Sequence, residues 1–182
     1  MRKHAFIILA FLLAGCLPAR YTVVQDSNPA AAATAASTIF VGWLPVDPNQ
    51  FAARGYASAA EYAKVIGGMN AELQKGLKND WPKKNFSFAR TPEEVPPAGV
   101  DMIVVFQGAN VAEGGGGGHS GVNITTTVKF FDAKAQREVK SAQITTSTRG
   151  INGWTQYNLE GCLEQAAYNV GVYVGETVTG NQ

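Results

Sequence analysis

Charge is scarce in this chain. Its 182 residues hold 15 Lys+Arg and 14 Asp+Glu, a charged fraction of 16% and a formal net charge of +1. A nucleic-acid partner needs a basic excess, and none is present. Histidine is scarcer still, with only His4 and His119. So few imidazoles leave no spaced metal-ligand set and no general base for a nucleophilic triad. No G-x-x-x-x-G-K-[ST] phosphate loop occurs. Catalytic residues, a metal and a cofactor are therefore not expected. Cysteine is limited to Cys16 and Cys162.

The N-terminus is rich where the rest is poor. Arg2 and Lys3 precede an unbroken apolar run over residues 5–14. That run is too short to span a bilayer as a helix and suits a signal peptide. It ends in Leu13, Ala14, Gly15 and Cys16. These four residues resemble the lipobox of bacterial lipoproteins. The resemblance implies cleavage before Cys16, a diacylglycerol thioether on its sulfur, and an acyl chain such as palmitate on its new amino group. Leu17 follows, where Asp would resemble an inner-membrane retention signal, so the resemblance points to the outer membrane. Loss of Arg2 and Lys3 with the leader leaves 13 basic side chains against 14 acidic ones. Multiple acyl chains hold a protein to a bilayer durably, so the mature chain is anchored rather than spanning. With Cys16 consumed, Cys162 has no disulfide partner within the chain and is expected as a small buried residue.

The expected organisation is a signal peptide over residues 1–15, a lipidated and flexible tether over 16–37, and one domain over 38–182. Pro18, Pro29 and the small-residue run AAAATAAS motivate the tether. Within it, RYTVVQ is the competing reading, an edge strand.

The strand TIFVGWL opens the domain. Ser58 and Glu61 fit a capping box. Behind them Tyr62, Val65, Ile66, Met69, Leu73 and Leu77 form one apolar stripe of a helix of about 20 residues, ended by Asn79 and Pro82. Gly67 and Gly68 interrupt it, for close packing on the sheet or for a bend. Strands follow at NFSFAR, MIVVFQGANV, VNITTTVKFFD and EVKSAQITTSTR. In the third of these, Val122, Ile124, Thr126, Val128 and Phe130 share one face. A second helix from about Asn158 carries Leu159, Cys162, Leu163, Ala166, Val170, Tyr173 and Val174 as its stripe. The order β-α-β-β-β-β-α predicts an α+β domain: a mostly antiparallel sheet of about five strands with two amphipathic helices on one face.

EGGGGGHSG, residues 113–121, satisfies G-x-G-x-x-G through Gly116, Gly118 and Gly121. A strand follows it, not the helix N-terminus that a pyrophosphate requires. His119 and Ser120 are adjacent, and in extended chain they point to opposite faces. The run reads as a hairpin tip, with Gly116, His119 and Ser120 as the residues for a partner contact.

Residues 100–178 resemble a group of small bacterial envelope lipoproteins whose shared domain has no known function. Their pattern is Gly-x-Gly, strand, Asp-x-x-Thr-Gly, strand, helix. Asp132 matches the turn acid, while Ala135 and Gln136 stand where Thr-Gly is usual. The first half is similar in element order to the periplasmic domain of the curli-secretion lipoprotein.

The expected function is an outer-membrane lipoprotein, anchored through Cys16 and facing the periplasm. It would act without catalysis, as a binding or assembly component with a protein partner in the envelope. The alternatives are a small-molecule or glycan binder using Trp43, Trp81 and Trp154, and a subunit of an oligomeric secretion pore built from the hairpin over residues 122–149. The oligomeric state is left open.

Overall fold

The computed structural model describes residues 21–27, 31–52, 58–80, 84–114, 121–148 and 159–181. Ten elements follow in order: β1 (Tyr21–Asp26), α1 (Ala31–Ala35), β2 (Thr38–Val41), α2 (Pro48–Ala52), α3 (Ala59–Asp80), β3 (Asn85–Phe88), β4 (Met102–Gly114), β5 (Gly121–Asp132), β6 (Arg137–Thr148) and α4 (Leu159–Thr179). The six strands form one sheet in the order β1-β6-β5-β4-β2-β3. The α+β class stands, and two parts of the finer expectation are corrected. Among the described residues there are six strands rather than about five, because β1 pairs antiparallel with β6. The sheet is mixed, because β2 runs parallel to both β3 and β4. A strand, a helix and a second strand in succession close as a crossover, which places β2 and β3 side by side in the same direction. Among the described residues, two five-residue helices join the two long ones.

β1 and α1 occupy residues expected as tether. Ala33 and Ala36 are buried there. The Lys84 ammonium caps the end of α1, donating to the Thr34 carbonyl at 2.7 Å and to that of Ala36. A cation suits the negative end of a helix.

Helix α3 starts as its sequence dictates. The Glu61 N–H donates to Ser58 Oγ at 3.1 Å, and the Ser58 N–H donates back to Glu61 Oε2 at 3.2 Å. Val65, Ile66, Met69, Leu73 and Leu77 are all buried, and Tyr62 packs against them. Replacing Ser58 with Ala removes the cap and should cost about 1 kcal/mol, read by urea denaturation.

The sheet's inner face holds the core. Met102, Val104 and Phe106 of β4 are buried, then Ala109 and Val111. The phase slips by one at Gly108, where φ is +57° and the β4–β5 register shifts. This is a β-bulge built on a left-handed glycine. Val122, Ile124, Thr126, Val128 and Phe130 are all buried, as the alternation predicts. From Cys162 onward the stripe of α4 joins them with α3 in one continuous cluster.

The two long helices run parallel. Lys64 meets Glu160 in an ion pair at 3.0 Å, Gly68 faces Glu164, and Gly76 faces Tyr168 and Val172. The sequence offset stays near 96 along this seam, which only parallel helices allow. Glycine is needed at its tightest point. A Cβ on Gly76 would lie 2.2 Å from the Tyr168 carbonyl oxygen, and one on Gly171 2.1 Å from that of Leu73. Gly68 therefore packs on the second helix rather than on the sheet.

The β5–β6 turn carries an unexpected strain. Asp132 Oδ1 accepts from the N–H groups of Lys134 at 2.9 Å and Ala135 at 2.8 Å, an Asx turn. Gln136 follows at φ +50°, the place where the resembled pattern has Gly. A left-handed residue with a Cβ costs about 1 kcal/mol. Gln136→Gly should recover about that much, visible as a raised urea midpoint with unchanged slope.

Candidate functional site

Most of the expected site residues lie outside the described residues: Leu13, Ala14, Gly15 and Cys16, and also Gly116, His119 and Ser120. Trp81 and Trp154 lie outside them too. The frame around the glycine run is described. β4 and β5 pair to their last residues, Gly114 opposite Gly121. Trp43 is half-buried against the core, so it is a packing residue with one accessible edge. The apolar face of the β5–β6 hairpin is occupied by the helices.

A cleft of about 450 Å³ opens where β4 bulges. Its origin is local. After β2 the chain runs on beside β4, held by the Ala109 N–H donating to the Pro45 carbonyl at 3.1 Å and by a parallel bridge from Val46 to Ala109. Gln50 takes over where the strand would end. It accepts from the Val111 N–H at 2.7 Å, and its amide donates to the Ala109 carbonyl at 3.4 Å. The Tyr62 hydroxyl fixes the segment from the other side by donating to the Val46 carbonyl at 2.7 Å. Burial, and then the Asp47 carboxylate, push that phenol above its ordinary pKa. The polar lining comprises Asp47, Gln50, Gln107, Asn110, Thr125, Thr126, Thr127 and Gln143. It consists of amides and hydroxyls with one carboxylate. Such a set can exchange hydrogen bonds with a hydroxylated or amide ligand. None of these residues belongs to the expected site. The signal was a glycine inside a strand pattern, in QGAN.

A second cleft of about 450 Å³ lies beside α3, lined by Trp43, Asn70, Gln74, Lys75, Lys78 and Arg90 among others. Its cations are engaged. Lys75 pairs with Glu72 and Arg90 with Glu94, and Lys78 sits 5.0 Å above the Phe88 ring. Asn70 is structural: its side chain accepts from the Leu44 N–H at 2.9 Å and donates to the Leu44 carbonyl at 3.3 Å.

At the opposite end of the sheet, Asp101 gathers four donors. They are the Lys134 ammonium and the Thr38 hydroxyl, each at 2.9 Å, and the Ser37 and Thr38 N–H groups at 3.1 Å. Lys134 first, then Thr38 and Ser37, hold its carboxyl well below the usual range. A depressed carboxyl adds stability above its unfolded pKa of about 4, and that stability fades as pH falls toward the folded value. Asp101→Asn should therefore lower Tm at pH 7, and the gap to the parent should narrow below about pH 4.

Among the described residues, no group of three or more His, Cys, Asp or Glu side chains could hold a metal. No helix there is long and apolar enough to cross a membrane.

No known protein family matches this chain, and no curated protein matches it in sequence. Solved structures similar to it in fold include two described as PelC dodecamers from Paraburkholderia phytofirmans, one of them a single-residue variant. The variant is 13% identical at a TM-score of 0.43 and covers 85% of this chain and 96% of its own; the other is 16% identical at 0.43 and covers 87% and 97%.

Proposed function

We propose that this chain is a lipoprotein of the outer membrane, anchored through acylated Cys16 and facing the periplasm. There it acts as a non-enzymatic binding or assembly component of the cell envelope. The observation that carries the reading is Leu13-Ala14-Gly15-Cys16, set directly behind a charged start and an apolar run of signal-peptide length. Leu17 after the cysteine supports passage to the outer membrane. A folded edge strand that begins at Tyr21 is compatible with an anchor this close to the domain. Globomycin should block processing, labelled palmitate should enter the protein, and Cys16→Ala should abolish both. A mature form that stays soluble and unlabelled with Cys16 intact would sink the reading. Crosslinking in intact envelopes followed by pull-down tests the partner.

The bulge cleft favours a second reading, a binder of small hydroxylated ligands or glycans. Its lining of amides and hydroxyls around Asp47 supports this. Titration calorimetry with neutral oligosaccharides would detect binding, and Gln107→Ala should weaken it. Equal heats from both proteins would remove the idea.

A further inference from the structure

We infer that the end of the sheet where β1 begins is a membrane-facing surface, lying against the lipid headgroups. The inference rests on acylation of Cys16 as proposed above. A tether ending at Thr38, 22 residues on, could hold the domain up to about 75 Å from the bilayer. β1 begins instead at Tyr21, five residues from Cys16, and that chain reaches about 17 Å at most. Tyr21 is fixed in the fold, opposite Thr146, and its hydroxyl donates to the Glu176 carboxylate. The anchor therefore enters at one defined end of a rigid sheet.

Strand directions say what else lies at that end. β1 is antiparallel to β6, β6 to β5, and β5 to β4. The start of β1, the end of β6, the start of β5 and the end of β4 thus meet there. The β5–β6 turn with Lys134 lies at the other end, and Asp26, opposite Ala142, lies about halfway along β6.

Charge divides the sheet the same way. Residues 21–25, 107–112, 122–128 and 141–148 contain no Asp, Glu, Lys or Arg. In these four strands the charged side chains nearer the far end are Asp26, Lys129, Asp132, Arg137, Glu138 and Lys140, and Glu113 is the one exception near the anchor. Tyr21 meets α4 near that helix's end, at Tyr173 and Glu176. Within the strands this end is rich in Thr, Ser, Gln and Asn, which lose less solvation than charges on approaching headgroups. Asp47 lies beside it, and Arg20 and Arg149 adjoin Tyr21 and Thr148 in sequence. The short linker selects this end, and the strand composition is independent of it.

The test uses the full lipidated protein in phosphatidylethanolamine/phosphatidylglycerol vesicles. Single cysteines replace Ala112, exposed near the anchored end, and Ala135, exposed in the β5–β6 turn. Cys162 is buried and Cys16 is consumed. Each new thiol carries a donor dye, and energy transfer is read to a headgroup-labelled acceptor lipid. The two dyes sit about 30 Å apart along the strands, so transfer from Ala112→Cys should exceed that from Ala135→Cys at least about twofold. Inserting about 20 Gly/Ser residues between Cys16 and Tyr21 should erase most of the difference, because such a linker frees the domain. Equal transfer from both sites without the insertion, or greater transfer from Ala135→Cys, overturns the orientation. Co-flotation with the vesicles is scored separately. Protein that does not float refutes the lipid anchor, whereas protein that floats with the wrong transfer ratio refutes only the orientation.

Discussion

Gly76→Ala and Gly171→Ala should each lower stability by about 2–3 kcal/mol, among the largest effects of any single methyl added to this chain. The added Cβ would meet a backbone carbonyl oxygen of the facing helix at 2.2 or 2.1 Å. Contacts that short do not occur, and a carbonyl within a helix cannot rotate away as a side chain can. The helices must separate, which loosens the close packing of buried residues on both. Ala also favours the helix over Gly by about 1 kcal/mol, so the measured loss is the strain less that gain. Two neighbouring glycines serve as controls. Gly67 meets nothing within 4 Å, so Gly67→Ala should stabilise by about 1 kcal/mol through propensity alone. Gly68 meets only the Glu164 carboxylate at 2.5 Å, the far end of a flexible side chain, so Gly68→Ala should be close to neutral. Urea melts read all four, and a loss of about 3 kcal/mol appears as a Tm lower by about 6–12 °C in a chain of this size. The double variant should cost less than the sum of the two singles, because helices already forced apart admit the second methyl cheaply. Full additivity would mean that the two glycines relieve separate contacts.

That seam was hidden in the sequence for a physical reason. The stripe from Tyr62 to Leu77 shows which face of α3 is buried, and Ser58 with Glu61 shows where the helix starts; both are local patterns. Which glycine touches the other long helix depends on a partner 96 residues away, and no local pattern encodes it. β1 was hard to read for the same reason. Its side chains are mostly exposed, and pairing with β6, more than 110 residues on, is what makes it a strand. The parallel neighbours of β2 were more legible than the expectation of a mostly antiparallel sheet allowed. Ile39, Phe40 and Val41 are all buried, and an unbroken apolar run followed by a helix marks a strand covered on both faces. The bulge at Gly108 left a trace in the slip from Phe106 to Ala109, but the cleft beside it needs residues 45–50 brought over from another part of the chain. The proposed lipobox is the opposite case, since Leu13-Ala14-Gly15-Cys16 are four consecutive residues and the proposal needs no tertiary contact.

Asp26→Ala should cost about 2–3 kcal/mol, while Lys140→Met should be close to neutral, and the two together should recover most of the loss. The Lys140 side chain is 2% exposed on the inner face, and its ammonium lies 2.7 and 2.6 Å from the two Asp26 oxygens. Burying an ammonium costs several kcal/mol, which a close carboxylate offsets. Removing the carboxylate withdraws that compensation, and removing the ammonium abolishes the cost. The estimate sits below the 3–5 kcal/mol of a fully buried pair because Asp26 is 38% exposed and partly screened. The location matters more than the magnitude. Asp26 ends β1, so the pair pins the far end of an edge strand whose start is pinned by Tyr21. Hydrogen exchange should speed up at the β1 amides in Asp26→Ala while those of β5 stay protected, because local opening of an edge need not open the core. Uniform acceleration would instead mean global destabilisation. If Cys16 carries the anchor, detaching β1 lengthens the free chain from five residues to 15, up to α1 at Ala31. The energy-transfer contrast between Ala112→Cys and Ala135→Cys should then shrink in Asp26→Ala and return in the double variant. On that account a single buried ion pair at the far end of β1 sets how firmly the domain is held to its membrane.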